Sequence, residues 1–589
     1  MKNKKDNKLR SLKTILRIIG FLSKKRKYQL LITLLIMVLS SFAEVISITA
    51  VLPFLEIIVG SENSLENNIF NNFINLSSNS SQENQLFQIT FIFISFIVLA
   101  ASIRLFNSYV NLRLAAAIGS DIGIKAFKSL VFKPYSFFQS ANSSTTLTIT
   151  TLYINYVSQI IRQFLTFLTS TILSFSIIIG LLLINFKLTI VIFSILGLFY
   201  FFQGFYSKNY LNKTSKLKSE VEQKHVQTVQ ESYSSIRDII IDNNQKYFIN
   251  EFSYLDIRRR RYEANMQFIQ GFPKYIIECF GLILITLSCV FLYSYSESNT
   301  SVISIIGTIT LGLQKLLPLL FSIYSAWAIL KTYIYPVNLV LDLAGEHKYN
   351  LKNNFNYQKK EELKELSVKN LCFSYKRGNQ NILEDVNFNI KIGDRIGIIG
   401  QTGSGKSTLI DLLMGLIKPD AGEIVFNSQN IHTSNKSLMK WRSLISHVPQ
   451  EVILKDSTIA ENIAFGRKIN DIDYSKLKEV ITKAKLDDLI EKLPNGYKTY
   501  VGERGINLSG GQKQRIGIAR ALYKNKKIIF LDEATSALDN KTEKEIINTI
   551  RNLDKNITVF LISHKISSLK FFTKFLKVEN HNVNEIQNI

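Results

Sequence analysis

Hydrophobic positions are distributed very unevenly along this chain of 589 residues. The first 345 positions hold six apolar runs, roughly Tyr28–Val59, Leu86–Val110, Ile154–Ile184, Leu188–Phe205, Phe272–Tyr295 and Val302–Leu330. Each is about 20 residues or longer, enough for a helix to cross a bilayer. Only Asn185-Phe186-Lys187 separates the third run from the fourth, which predicts a tight helical hairpin. The two longest polar intervals, about 118–150 and 207–271, are rich in Lys, Glu and Gln and poor in breakers. They predict helical extensions of the spans beyond the membrane. The pattern changes near Tyr349, where "YNLKNNFNYQKKEELKE" reads as a linker over 346–362. From 363 to 589 short strand-like apolar runs alternate with helical stretches and Gly-rich turns, as in an α/β domain. The expected architecture is a basic N-terminal interfacial helix over 1–27, a six-helix transmembrane domain over 28–345, and an α/β domain over 363–589.

Charge orients this layout. Eleven Lys or Arg precede Tyr28 against one Asp, and the formal net charge is +25. Ser61–Gln85 and the turn "SYSESNTS" from Ser294 carry no Lys or Arg, whereas "KTSKLKSEVEQKHVQ" and "DIRRRRYE" are basic. Basic segments stay on the cytoplasmic side, so both termini and the C-terminal α/β domain are expected in the cytoplasm of a cell with an inner or plasma membrane. Arg258–Arg261 beside a membrane reads as a lipid-facing or solvated face, and no nucleic-acid partner is expected. No cleavable signal peptide is visible. The three cysteines, Cys279, Cys289 and Cys372, are too scattered for a disulfide framework or a zinc site.

The chemistry lies in the second half. Gly400-Gln401-Thr402-Gly403-Ser404-Gly405-Lys406-Ser407 fits G-x-x-x-x-G-K-[ST] between a short apolar strand and a helix, the context that a phosphate-binding loop needs. Its glycines let backbone N–H groups close round phosphates, and the helix N-terminus, with Thr408 in its first turn, adds positive dipole. Lys406 is expected to reach the β- and γ-phosphates of ATP, and Ser407 to hold magnesium. Downstream, "KKIIFLDEAT" has the form of a buried strand delivering Asp532 and Glu533 at its C-terminal end. Asp532 is expected on the magnesium, and Glu533 as general base on the attacking water.

The stretch "LSGGQKQR" extends the pattern. Leu508-Ser509-Gly510-Gly511-Gln512 resembles the signature of the ABC transporter ATPases, and its companions stand in that family's order. Tyr375 resembles the aromatic that stacks on adenine, and Gln450 the Q-loop residue that contacts magnesium and the membrane half. "VGERG" (501–505) resembles the exporter loop that touches the membrane helices. "SALD", ending in Asp539, is similar to the D-loop, and His564 to the switch histidine that holds the γ-phosphate. The resemblance implies that Ser509–Gln512 complete the nucleotide site of a second subunit. One ATPase and six spans make half a transporter, so a homodimer is implied, or a heterodimer with a paralogue. "PYSFF" (Pro134–Phe138) and "ESYSSIRDIII" (Glu231–Ile241) lie where such exporters have coupling helices. The family's Ala-His-Arg is Ser563-His564-Lys565 here, and its usual C-terminal hairpin is not recognisable in "FFTKFLKVENHNVNEIQNI".

Six ionisable residues fall in or beside the spans: Glu44, Arg104, Arg162, Lys274, Glu278 and Lys315. Such residues are costly in lipid and mark partners or wet cavities. Lys274 and Glu278, spaced i, i+4, can pair on their own helix. Ser40, Glu44 and Ser47 share one face of the first span, and Glu44 is expected to act as counter-ion to Arg104 or Lys315, with direct contact to the substrate as the alternative. "SFAEVISITAVLPF", "IRLFNSY", "FPKYIIECFG" and "LQKLLP" resemble the lipid-linked oligosaccharide flippases of the ABC family. That resemblance implies a substrate cavity with a basic belt at Arg104, Lys274 and Lys315, beside Glu44. The expected substrate is an anionic, amphiphilic lipid-linked glycan; the alternative is a general lipid, drug or peptide exporter.

Overall fold

A computed structural model describes residues 10–49, 82–184, 186–295, 299–345, 365–375, 381–563, 565 and 569–586. The end of the first expected span, the linker 346–362 and the switch histidine His564 lie outside the described residues. The chain divides into two units, one of residues 1–133 and 140–349, the other of 134–139 and 350–589.

The first unit is built from long helices. Six are apolar and long enough to cross a membrane. Lys24–Thr49 holds the described part of the first expected span, and Gln82–Val131, Ile154–Ile184, Phe186–Ser234, Pro273–Tyr295 and Asn299–Gly345 correspond to the other five, several of them running far past the expected bounds. The second span is part of a helix of 50 residues and the fourth of one of 49. The polar intervals therefore continue as helix, as their composition predicts. Close approach between helices depends on small residues: a Cβ on Gly119 would meet Ser158 Oγ at 1.8 Å, and one on Gly312 would meet Leu181 at 2.6 Å. The basic lead-in helix, Arg10–Phe21, lies against the end of the last long helix. Arg17 pairs with Asp342 at 2.7 Å, and Thr14 donates to Asn338 at 3.1 Å. Short helices, Tyr135–Ser140 and Ile236–Ile241, occupy the two positions expected for coupling helices.

The second unit carries two sheets. β1 (Glu365–Phe373), β2 (Leu383–Lys391), β4 (Ala421–Phe426) and β5 (Gln429–Asn430) form an antiparallel sheet in the order β2-β1-β4-β5. The second sheet has the order β10-β9-β3-β8-β7-β6. In it β3 (Arg395–Ile399), β6 (Ile445–Val448), β7 (Ile528–Asp532), β8 (Thr558–Ile562) and β9 (Lys574–Glu579) run parallel, and β10 (Asn582–Ile586) returns antiparallel. β8 is buried along its whole length, and four of the five residues of β7 are buried, which is why these strands read as unbroken apolar runs. Phe530 and Phe560 stack across β7 and β8 at 4.6 Å. Because β3, β8 and β7 are adjacent and parallel, the loop after β3 and the acids Asp532 and Glu533 at the end of β7 lie at the same edge of the sheet. That edge is where parallel α/β sheets place their ligand sites.

The β9–β10 hairpin is the element the sequence hid. Its turn is Asn580-His581, both with positive φ (46° and 64°), the conformation of a tight type I′ hairpin. That turn normally signals itself by a glycine. An Asn-His pair carries no such mark.

Candidate functional site

The phosphate loop joins β3 to the helix Lys406–Leu413. Gly403 and Gly405 take φ of +83° and +105°, which L side chains rarely adopt. A Cβ on Gly400 would stand 2.4 Å from the carbonyl oxygen of Val578. The loop surrounds a cavity of about 980 Å³ whose lining includes Gly400–Thr408, Gln450 and Glu533. Lys406 is almost buried, and its ammonium donates to the carbonyls of Gly400 and Gln401, both at 2.8 Å. Burial lowers its pKa, and the charges of Glu533 and Asp532 act against that. Ser404 Oγ is buried without a hydrogen-bond partner in the same loop, among the described residues.

Glu533 directly follows β7 with φ of 47°, a strained backbone for a residue with a side chain. Its amide donates to Ile562 O at 3.2 Å, which ties it to the end of β8. Its Oε2 accepts from Gln450 Nε2 at 2.7 Å, so the expected general base and the Q-loop amide meet directly. Burial, then the neighbouring Glu533, push the Asp532 carboxyl above the usual carboxylate range. The Tyr375 hydroxyl is 3.4 Å from Thr408 Oγ1, at the start of the same helix.

Ser509, Gly510, Gly511 and Gln512 are not on the lining of this cavity. Ser509 caps the helix Gly510–Tyr523, accepting from Gln512 N at 3.3 Å while Gln512 Oε1 accepts from Ser509 N at 2.8 Å. Asp539 is likewise engaged as an N-cap, accepting from Thr542 N at 3.0 Å.

Three sets of contacts carry no mark in the sequence. Gln514, buried two residues past the signature, donates to Ser536 Oγ at 3.1 Å and accepts from Ala537 N at 3.0 Å, which joins the signature helix to the D-loop. Val578–His581 of the terminal hairpin line the phosphate-loop cavity. Lys565, where the family has Arg, pairs at 2.7 Å with buried Glu543, whose other oxygen accepts from Thr535 Oγ1 at 3.0 Å. This bond ties the segment after β8 to the segment after β7. Glu543→Ala strands both partners and is expected to cost about 1–3 kcal/mol, read as a fall in the thermal midpoint; an unchanged midpoint would contradict it.

In the membrane unit the structure gathers three of the four proposed cavity residues. Glu44 is buried, with Lys315 Nζ at 2.9 Å and Arg104 Nη1 at 3.8 Å, so three helices meet at one carboxylate. Lys274 does not join them; its nearest acid is Glu278, one turn along the same helix, at 4.0 Å. Ser40 Oγ, on the face of Glu44, is buried without a partner among the described residues.

Two family models cover most of the chain: the ABC transporter transmembrane region matches residues 49–317, and the ABC transporter domain matches 383–536. The chain belongs to the ABC transporter family. It is an exporter that hydrolyses ATP to drive transport through its membrane helices. A relative from Saccharophagus degradans named ATP-dependent lipid A-core flippase is 28% identical over 82% of this chain and 80% of its own length. A multidrug resistance-like ATP-binding protein of Buchnera aphidicola is 41% identical, but over only 38% of this chain and 38% of its own. The solved structure of a bacterial Atm1-family ABC exporter with ATP bound shares the fold. Its TM-score is 0.79 at 20% identity, over 95% of this chain and 96% of that one.

Proposed function

We propose that the transporter works as a homodimeric flippase that moves an anionic, lipid-linked amphiphile, a glycan precursor, out of the cytoplasmic leaflet by alternating access. The observation that carries this reading is the Glu44–Arg104–Lys315 cluster. Two cations stand against one carboxylate in a helix bundle where an uncompensated charge is expensive. The surplus positive charge suits a phosphate group, and Glu44 holds both cations in place while the site is empty. The name of the Saccharophagus relative, ATP-dependent lipid A-core flippase, is in keeping with it. The relative with a multidrug name is aligned over only 225 residues, 38% of this chain.

Dimerisation is supported by the signature residues. Ser509–Gln512 lie off this chain's own nucleotide cavity, as expected if they close on the ATP of a second copy. Ile236, Ile240 and Ile241 on the second short helix are exposed, an apolar strip that a partner would cover.

In the ATPase cycle, Lys406 leaves the loop carbonyls for the phosphates, and Glu533, oriented by Gln450, takes a proton from the attacking water. The oxygen donors Ser407, Gln450 and Asp532 fit magnesium, which keeps phosphate and water among its ligands and needs few protein groups. Among the described residues no three His, Cys, Asp or Glu side chains form a protein-only metal cage. The raised pKa of Asp532 is the electrostatic condition that an adjacent cation relieves. When bound, magnesium supplies neutralisation of the phosphate charge.

The test is ATPase activity in proteoliposomes with added polyprenyl diphosphate. Stimulation is expected, and Arg104→Ala with Lys315→Ala is expected to raise the half-maximal concentration about tenfold or more, as for loss of charge-assisted bonds. A response that the double variant leaves unchanged would rule out the anion site.

A further inference from the structure

A second polar feature of the membrane unit is a cavity of about 230 Å³ that involves four helices. Gln159, Arg162 and Gln163 enter it from Ile154–Ile184, Lys218 from Phe186–Ser234, and Glu263 and Gln267 from Gln245–Gly271. Asn299–Gly345 supplies Tyr333. Lys218 is almost buried; it is neutralised by Glu263 at 3.7 Å and lies 6.0 Å over the Tyr333 ring. The side chains of Gln159, Gln163, Gln267 and Arg162 make no hydrogen bond to another described residue. Gln159 and Gln163 are half-buried and Arg162 and Gln267 are exposed, so three amides and a guanidinium line one small open space with donors and acceptors that a polar occupant can use.

The chemistry of the lining restricts that occupant. Carboxamides donate and accept, which matches hydroxyl and acetamido groups, and the guanidinium matches phosphate oxygens. Only Met266 and Ile329 are apolar, so the space does not suit a lipid chain. Its volume is below the roughly 300–1,000 Å³ of pockets for drug-sized ligands, so it takes one ring-sized polar group rather than a whole amphiphile.

Its depth fits a headgroup. Asn111 donates to Thr169 at 3.3 Å and so sets the register between the second and third spans. Arg104 is seven residues before Asn111, and Arg162 is seven residues before Thr169, on helices that cross in opposite directions. At 1.5 Å per residue the cavity lies roughly 20 Å along the bundle from the Glu44 cluster. On the orientation expected from the basic segments, that is the cytoplasmic end of the spans, where Lys218, Glu263 and Gln267 of the helical extensions join the lining.

We infer that this cavity is a headgroup subsite that receives one sugar ring of the substrate, with Arg162 on an adjoining phosphate. It is loaded from the inner leaflet before the phosphate reaches the deeper cluster at Glu44. This rests on the reading of the transporter as a flippase of anionic lipid-linked glycans, and it adds where the sugar is recognised.

The probes are polyprenyl diphosphate and the same lipid bearing one N-acetylhexosamine, each titrated against the ATPase activity of the full transporter in nanodiscs. The sugar-bearing lipid is expected to reach half-maximal stimulation at about 5–10-fold lower concentration, as for one or two hydrogen bonds gained. Gln163→Leu is expected to bring that ratio close to one. Gln267→Leu, at an exposed position, provides the same readout if Gln163→Leu fails to fold. If both lipids stimulate the wild type equally, or if the ratio survives both substitutions, the subsite is refuted while the flippase reading stands. If neither lipid stimulates, both fall.

Discussion

Glu533→Gln is expected to cut steady-state ATP hydrolysis by about 10²–10⁴-fold, the range for loss of a general base, while ATP binding persists. The amide keeps the shape of the side chain, and its oxygen can still accept from Gln450 Nε2, which is 2.7 Å from the carboxylate in the native chain. It cannot take the proton of the attacking water. The backbone is strained at this position in either case, since Glu533 has φ of 47° and its amide is held by Ile562 O. The variant should therefore fold and fill with ATP but stall before hydrolysis. Phosphate release and retention of labelled ATP, measured on the same sample, separate the two steps. Turnover near the wild-type rate would remove Glu533 from the role of base. Loss of nucleotide binding along with turnover would instead assign it to the structure of the site. The neighbouring Asp532 is expected to behave differently, because a residue on the magnesium affects binding as well as rate.

The second large effect is expected at Glu44. Its side chain is 8% exposed, against 42% for Lys315 and 60% for Arg104. Glu44→Gln leaves two cations facing each other across three helices. The expected loss of stability is about 1–3 kcal/mol, less than the 3–5 kcal/mol for breaking a fully buried pair, because both cations are open on one side. The thermal midpoint in lipid nanodiscs reports it. Glu44→Gln combined with Lys315→Gln removes one cation with the carboxylate and is expected to recover part of the loss, the signature of a direct coupling. If Glu44→Gln left stability intact and abolished transport, the carboxylate would be a substrate ligand rather than a counter-ion.

The sequence made the ATPase motor legible because its chemistry is local. Each motif packs its donors and glycines within a few consecutive residues, at the end of a strand whose burial on both faces leaves an unbroken apolar run. Gly400–Ser407 and Asp532-Glu533 could therefore be recognised one at a time, and the six spans by length alone. The helical extensions followed from composition, since Lys, Glu and Gln favour helix with or without lipid.

What the sequence left open depended on distance. Gln514 looks like any polar residue of the signature helix until the fold puts Ser536 and Ala537 against it. Lys565 looks like a conservative change until Glu543 is seen under its ammonium. The terminal hairpin turns on Asn580-His581, which has no glycine to announce it, so only the pairing of β9 with β10 reveals the turn that lines the nucleotide cavity.

Glu44 divides the two kinds of knowledge most clearly. Sequence alone determined that a carboxylate in an apolar helix must face a partner or a wet cavity, because lipid offers it no water, and it named Arg104 and Lys315 as candidate partners. It also determined that Lys274 and Glu278 lie one turn apart, because helical spacing is a property of the chain. Which cation Glu44 would find depended on how three helices, far apart in sequence, rotate and slide against one another. That rotation is set by many weak side-chain contacts, none of which leaves a readable pattern. The tertiary structure decided it in favour of both: Lys315 at 2.9 Å and Arg104 at 3.8 Å share the one carboxylate.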